Sequence, residues 1–132
     1  MRCDLYAQTV TLYRLEEDIV RRTVLRGVHW QRGRRALPET SGTRTGAMML
    51  LVIPAAAGEY GQDYRLDPGD RVCDGEGPIL TVSDWPGFVP AADRRVAVVE
   101  YVTPFTLGGR VHHVEAGAWW NTSGSGAKGL TR

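Results

Sequence analysis

Three histidines are the side chains of this chain best suited to acid–base or metal chemistry near neutral pH. They are His29, His112 and His113. His112 and His113 lie in a β-rich run, where successive side chains point to opposite faces, so we expect that they cannot chelate one ion together. No trio of Cys, Asp or Glu accompanies His29 at a ligand spacing, so we predict no metal site. One hypothesis for the function is therefore a small β-barrel ligand-binding domain or hydrolase that uses these histidines with an Asp.

Carboxylates are densest between residues 63 and 76, where a cation site could be built. The stretch contains Asp63, Asp67, Asp70, Asp74 and Glu76. A calcium loop needs alternating oxygen ligands with a glycine and a distal Glu, and this spacing does not match. Turn-forming and solvated carboxylates explain the stretch better.

Motifs for covalent catalysis or phosphate binding are missing from the sequence. It has no G-x-S-x-G elbow and no G-x-x-x-x-G-K loop, and its single lysine is Lys128. Cys3 and Cys73 lie in unrelated contexts, which excludes a CxxC motif and favours synthesis in a reducing cytoplasm. We therefore predict no catalytic residue and no cofactor, and we expect that the protein is not an enzyme.

Arginines and tryptophans are stronger candidates for contact with a partner. The candidates are Arg32, Arg34, Arg35, Arg44, Trp119 and Trp120. The arginines lie in Gln31–Gly46, a polar segment with Pro38 that we interpret as a long mobile loop, of the kind that orders against a partner. This loop could also contact DNA phosphates. Of the two tryptophans, we expect one to cap the core and the other to contact a partner.

Charge is unevenly distributed along the chain, although the net charge is only +1. Residues 1–53 hold nine Arg against five acids, a net charge of +4, and residues 54–100 hold four Arg against nine acids, a net charge of −5. The small total argues against a general nucleic-acid binder. Solvated basic and acidic loops are the simpler interpretation, and the asymmetry also suits head-to-tail contacts between copies.

Short strands closed by tight turns must position these residues. In Leu66–Val72, Pro68 and Gly69 fit the two central positions of a turn, and Asp67 and Asp70 can bond nearby amides. Runs rich in Val, Thr and Tyr recur along the chain with almost no helical pattern. We predict an all-β fold, a small antiparallel β-barrel or sandwich of about six strands, with long loops and little helix.

Individual strands and the domain limits can also be placed. Gly27 inside the strand Ile19–Trp30 suggests a bulge or a sharp bend. Ala47–Ile53 shows no alternation, which predicts a central strand covered on both faces, and Arg95–Thr103 is predicted as one strand. Residues 1–118 are expected to form one β-barrel domain and residues 119–132 a flexible tail. We see neither a signal peptide nor a membrane segment, so we expect a soluble protein.

Five segments together resemble a family of small proteins encoded in tailed phages and prophages. They are TVTLYR (Thr9–Arg14), RRTVLRGVHW (Arg21–Trp30), LLVIP (Leu50–Pro54), LDPGDRVCDGE (Leu66–Glu76) and RVHHVEAG (Arg110–Gly117). Their order and spacing are similar to that family's TVTLY opening, RTVL-GV-W strand, IP strand end, L-PGD-VV-GE turn and terminal H-V-G strand. Family members are similar to minor virion components of the neck or capsid module.

The resemblance implies a virion structural protein of the head–tail neck: a connector, a head-completion protein or a minor capsid component. Such a protein acts by assembly without catalysis. Its partners would be other phage structural proteins, namely the portal or adaptor, a tail-completion protein or the capsid protein. The resemblance further implies a homo-oligomeric ring in the virion, synthesis in the host cytoplasm and no membrane contact.

Overall fold

The protein is mostly β-structure, with little helix. The computed structural model describes residues 6–39 and 42–121, with side chains for residues 6–33 and 47–119. These residues form strands β1 (Gln8–Glu16), β2 (Ile19–Glu39), β3 (Gly42–Pro54), β4 (Arg71–Asp74), β5 (Val96–Val98), β6 (Tyr101–Leu107) and β7 (Arg110–Asn121). Two short 3-10 helices, Ala55–Ala57 and Val82–Gly87, lie in the connections. None of the helices in the described ranges is long and apolar enough to cross a membrane.

One antiparallel sheet contains all seven strands, in the order β5-β4-β1-β2-β3-β7-β6. This sheet curls into a half-barrel, so the predicted all-β class and small antiparallel barrel are confirmed. Seven strands are observed where about six were expected. One reason is that the predicted strand Arg95–Thr103 is divided between β5 and β6.

The curl of the sheet begins in β2, which is long enough to serve both halves. Residues 19–28 of β2 pair with β1, and residues 29–39 pair with β3. Gln8 pairs with Val28 and Thr9 with Arg26, which leaves Gly27 as an extra residue with a φ of 81°. An extra residue bends a strand and increases its twist, and glycine tolerates this φ. The bend predicted at Gly27 is confirmed.

A second corner joins the two ends of the sheet, between β5 and β6. Val99 N–H donates to the Asp70 carbonyl, and Gly69 N–H donates to the Val99 carbonyl, both at 2.8 Å. The next residue changes sides, because Glu100 N–H donates to the Gly117 carbonyl of β7 at 2.9 Å. The chain therefore passes from one sheet end to the other within two residues.

The core lies on the inner side of the half-barrel. Its fully buried aliphatic side chains include Val10, Val28, Leu51, Val72 and Val114. On β3, burial alternates although the sequence does not: Met49, Leu51 and Ile53 are buried, whereas Met48, Leu50 and Val52 are only half-buried. The prediction that Ala47–Ile53 is covered on both faces was therefore wrong for the outer face.

The segment Gln31–Gly46 is the main correction to the sequence analysis. It was predicted to be a long mobile loop, and the structure shows instead the distal part of the β2–β3 hairpin. Pairing is continuous from Gln31 opposite Leu50 to Glu39 opposite Gly42, around a tip at residues 40 and 41 that lies outside the described residues. The prediction failed because polar, Gly- and Pro-containing sequence resembles a loop, while the pairing is supplied by the opposite strand.

A buried arginine fastens the longer 3-10 helix to the sheet. Arg71 of β4 donates from Nη1 to the carbonyls of Trp85 and Phe88, the latter at 3.0 Å. Its guanidinium also lies 3.9 Å from the centre of the Trp85 ring. Burial lowers the pKa of Arg71, and the carbonyls and the aromatic face compensate the charge.

Candidate functional site

The most distinctive surface of the described residues is apolar and lies on the outside of β3, β7 and β6. We call it the outer apolar face, and it consists of Met48, Leu50, Val52, Tyr101 and Trp119. The register places Met48 beside Trp119 and puts Leu50, Gly117 and Tyr101 in one row across the three strands. Tyr101 is 44% and Trp119 38% exposed. Met48, Leu50 and Val52 beside them are half-buried, and a contiguous, partly exposed apolar surface of this kind is a candidate interaction surface.

Gly117 makes this face possible because it accepts an aromatic ring directly over its backbone. A Cβ atom at this position would lie 2.4–2.5 Å from two ring carbons and the hydroxyl oxygen of Tyr101. The neighbouring Glu100 accepts a hydrogen bond from the Trp119 backbone N–H at 2.9 Å. Tyr101 is thus positioned by its packing over Gly117, and the backbone of Trp119 by its hydrogen bond to Glu100.

Backbone register brings several predicted partner-contact residues to the same end of the sheet. Gly33 pairs with Met48, which pairs with Trp119, and Arg34 pairs with Ala47, which pairs with Trp120. Trp119 and Trp120 therefore belong to β7, which continues to Asn121. The rest of the predicted tail, residues 122–132, lies outside the described residues.

The structure places the predicted partner-contact residues in different surroundings. Trp119 is exposed on the outer apolar face, as expected for a partner-contact residue. Arg32 is half-buried and pairs with the buried Met49, and its charge helps to lower the pKa of Asp93, after the larger effect of hydrogen bonds from Arg95. The four remaining candidates lie in strands, and their side chains are outside the description: Arg34, Arg35, Arg44 and Trp120.

Beyond this row the hairpin continues as a two-stranded ribbon. The pairing of β3 with β7 ends at Gly46 opposite Asn121, whereas the pairing of β2 with β3 runs on to Glu39 opposite Gly42. Residues 36–39 and 42–45 thus pair only with each other within the described part of the chain, and we call them the β2–β3 arm. Four further steps at about 3.3 Å extend it roughly 13 Å past the row of Arg35.

The positions of His112 and His113 differ from the sequence prediction. His112 and His113 were expected on opposite faces, yet their Nδ1 atoms lie 3.0 Å apart. The reason is a second β-bulge: Phe105 pairs with His113 and Thr106 with Val111, so His112 is an extra residue. Two residues of β7 therefore face one position of β6, and the alternation is lost. His29 lies elsewhere, with its ring edge-on to Tyr6 at 6.4 Å.

A cavity of about 550 Å³ opens near the turn between β6 and β7. Ile53 and Val111 form part of its apolar wall, together with Tyr60 and Tyr64, whose rings meet edge-on at 5.5 Å. Burial raises the pKa of Tyr64 far above its ordinary value, so this phenol stays neutral. None of the three histidines lines this cavity, so it does not bring them together as the ligand-binding or hydrolase alternative would require.

Within the acidic stretch, Asp67 and Asp70 stabilise the turn that precedes β4. Asp70 N–H donates to the Asp67 carbonyl at 3.0 Å across Pro68 and Gly69, which has a φ of 97°, so the predicted turn is confirmed. The Asp70 carboxylate accepts from Asp67 N–H at 2.9 Å and from Arg14 at 3.2 Å. Among the described residues, no group of three or more His, Cys, Asp or Glu side chains is placed to hold a metal ion.

The buried thiol has no sign of reactivity. Cys73 is fully buried, and burial raises the pKa of its thiol, which disfavours the nucleophilic thiolate. Cys3 lies outside the described residues.

The sequence analysis did not predict the outer apolar face. The unbroken apolar run Ala47–Ile53 was nevertheless a signal for it, because a strand without alternation in a single sheet places half of its apolar side chains on the outer side.

Fold and site together define a small all-β half-barrel whose distinctive features are the partly exposed outer apolar face and the β2–β3 arm. A family model for a family of unknown function, DUF6751, matches residues 5–119. The chain belongs to this family. No curated protein matches it, and no solved structure matches it.

Proposed function

We propose that this protein is a virion structural component of a tailed phage or prophage, in the head–tail neck, and that it acts by protein–protein assembly without catalysis. The observation that carries the proposal is the position of the β2–β3 arm, in which β3, one of the strands of the outer apolar face, continues beyond that face. The resemblance of the five segments described above to phage neck and capsid proteins supports the same class.

The arm is suited to a partner because it is poorly stabilised alone. A two-stranded hairpin is at best marginally stable in water, and the arm has no third strand among the described residues. Its backbone edges and those of the neighbouring strands gain hydrogen bonds when another chain lies alongside. Assembly would therefore order the arm, and the arm in turn would fix the register of neighbouring subunits.

Charge can orient copies of the protein. The first 53 residues carry a net charge of +4 and include the arm, whereas residues 54–100 carry −5. Opposite charge on different parts of one subunit favours head-to-tail packing around a ring over head-to-head packing. The ring partners on either side would be the portal or adaptor and a tail-completion or capsid protein.

Removal of the arm tests the proposal. Residues 36–45 are replaced by Asn-Gly, a two-residue turn that fits between the paired residues Arg35 and Gly46. The protein is mixed with the portal and adaptor proteins encoded beside its gene, and complexes are examined by size-exclusion chromatography and electron microscopy. We expect rings with the intact chain and at least a tenfold loss of co-migrating protein with the shortened chain.

A matched control separates assembly from a general loss of surface apolarity. Ile79 is 83% exposed and lies outside both the arm and the outer apolar face, so Ile79→Ser should assemble normally. Circular dichroism checks that both variants keep the β-spectrum. Failure of the intact chain to bind any neighbouring virion protein would contradict the proposal, and so would normal rings from the shortened chain. Loss of virions on changing all three histidines to alanine would favour the alternative.

A further inference from the structure

The bulge in β7 creates a pair of imidazoles that the regular strand pattern would have separated. The Nδ1 atoms of His112 and His113 are 3.0 Å apart, and the ring planes meet at 83°. His112 is exposed and His113 half-exposed, so both rings are accessible to an ion from solution. The pair lies outside the outer apolar face and the β2–β3 arm.

One of the two rings is held in place by its neighbour. Phe105 of β6, which pairs directly with His113, stacks on the His113 ring at 4.7 Å with an interplanar angle of 15°. Such stacking restricts rotation of the His113 side chain before any ligand arrives. A donor whose rotamer is already restricted loses less conformational entropy when it binds a metal.

We propose that His112 and His113 form a chelating site for a divalent late transition metal, with Cu²⁺ and Ni²⁺ preferred over Zn²⁺. With metal–nitrogen bonds of roughly 2.1 Å, donors 3.0 Å apart subtend roughly 90° at the metal. That angle suits the square-planar or tetragonal coordination of Cu²⁺ and Ni²⁺, whereas the tetrahedral angle preferred by Zn²⁺ needs a wider separation.

Metal binding by this pair requires only a change of tautomer in one of the two rings. Without metal, one ring donates an Nδ1–H to the Nδ1 lone pair of the other. In the chelate both Nδ1 lone pairs bind the metal, so the donating ring moves its proton to Nε2, and two neutral rings release no net proton. Two protein donors leave the remaining coordination positions to water or to a group on a bound molecule.

Titration of the untagged protein with Ni²⁺ by calorimetry tests this site. All chains carry Cys3→Ser, because a cysteine thiol is a competing ligand for these metals. We expect one Ni²⁺ per chain, and at least tenfold weaker binding for His112→Ala and for His113→Ala, since each change converts a chelate into a single donor. His29→Ala is the matched control and should bind as the parent does.

Two further measurements distinguish a folded site from a flexible His-His dipeptide. The chain unfolded in urea should bind Ni²⁺ at least tenfold more weakly than the folded chain, and Cu²⁺ should give an electron paramagnetic resonance spectrum with two coordinated nitrogens. Circular dichroism confirms that each alanine variant is folded. Less than tenfold weakening in either His112→Ala or His113→Ala would overturn the proposal, as would equal weakening by His29→Ala or equal binding by the unfolded chain.

Discussion

At the scale of single residues, the outer apolar face depends on a glycine more than on any apolar side chain. Tyr101 occupies the space directly above Gly117, where any β-carbon would overlap its ring. An aromatic residue that covers a glycine on a neighbouring strand replaces the packing that glycine lacks. The orientation of Tyr101, and with it the shape of the face, is therefore set by a missing side chain one strand away.

Gly117→Ala should destabilise the protein by about 1 kcal/mol, because the end of the Tyr101 side chain must rotate away and loses its packing on β7. Urea unfolding followed by tryptophan fluorescence measures the free energy of unfolding. Gly87→Ala is the matched control, since a Cβ atom there has no neighbour within 4 Å, and it should change stability by less than about 0.5 kcal/mol. Equal stability of the two variants would show that Tyr101 does not lie over Gly117.

At the scale of elements, two β-bulges determine where side chains point. Gly27 is the extra residue in β2 and turns that strand from β1 toward β3. His112 is the extra residue in β7 and brings two histidines to one side of the strand. In each case a single inserted residue changes the side of the sheet on which the neighbouring side chains lie.

Gly27→Ala should cost about 1–2 kcal/mol through backbone strain alone. The φ of 81° is unfavourable for alanine, and space is not limiting because the nearest atom to a Cβ is the Tyr6 carbonyl oxygen at 3.7 Å. Gly33→Ala in the same strand has ordinary contacts and no positive φ, so it should be neutral or slightly stabilising. Thermal unfolding of both variants is the measurement, and a neutral Gly27→Ala would exclude the left-handed bulge.

At the scale of the whole molecule, the turn before β4 ties the two ends of the sheet together. Gly69 and Asp70 exchange backbone hydrogen bonds with Val99 at the corner between β5 and β6. Asp70 is buried in this corner, where its carboxylate accepts from Asp67 and Arg14. Burial raises the pKa of Asp70, although these hydrogen bonds and the Arg14 charge act in the opposite direction.

The pH dependence of stability should reveal this buried carboxyl. Because the folded chain binds the Asp70 proton more tightly than the unfolded chain, the stabilisation is present below about pH 3.9 and is lost as pH rises through the folded pKa. Asp70→Asn keeps an acceptor for Asp67 and cannot ionise. The free energy of unfolding of the parent, relative to this variant, should therefore fall between pH 3 and pH 7, measured by urea unfolding. A difference that rises with pH would show that the Arg14 pairing outweighs burial.

Local sequence predicted those parts of the fold that local chemistry decides. The turn through Pro68 and Gly69 was predicted correctly because both residues restrict or permit the required φ by themselves. The bend at Gly27 was predicted for the same reason. The boundary of the candidate site was only partly predictable: Trp119 was named as a contact residue, but its neighbours Met48 and Tyr101 come from distant strands and have no local signature.

By itself, the sequence determined an antiparallel, helix-poor chain, because its turn residues and β-branched runs act over only a few positions. Only the tertiary structure decided that Gln31–Gly46 contains paired strands, that one side of Ala47–Ile53 is only half-buried, and that His112 meets His113. Each of these depends on the strand lying opposite, and the register between strands distant in sequence is set by packing and bulges that no short segment contains.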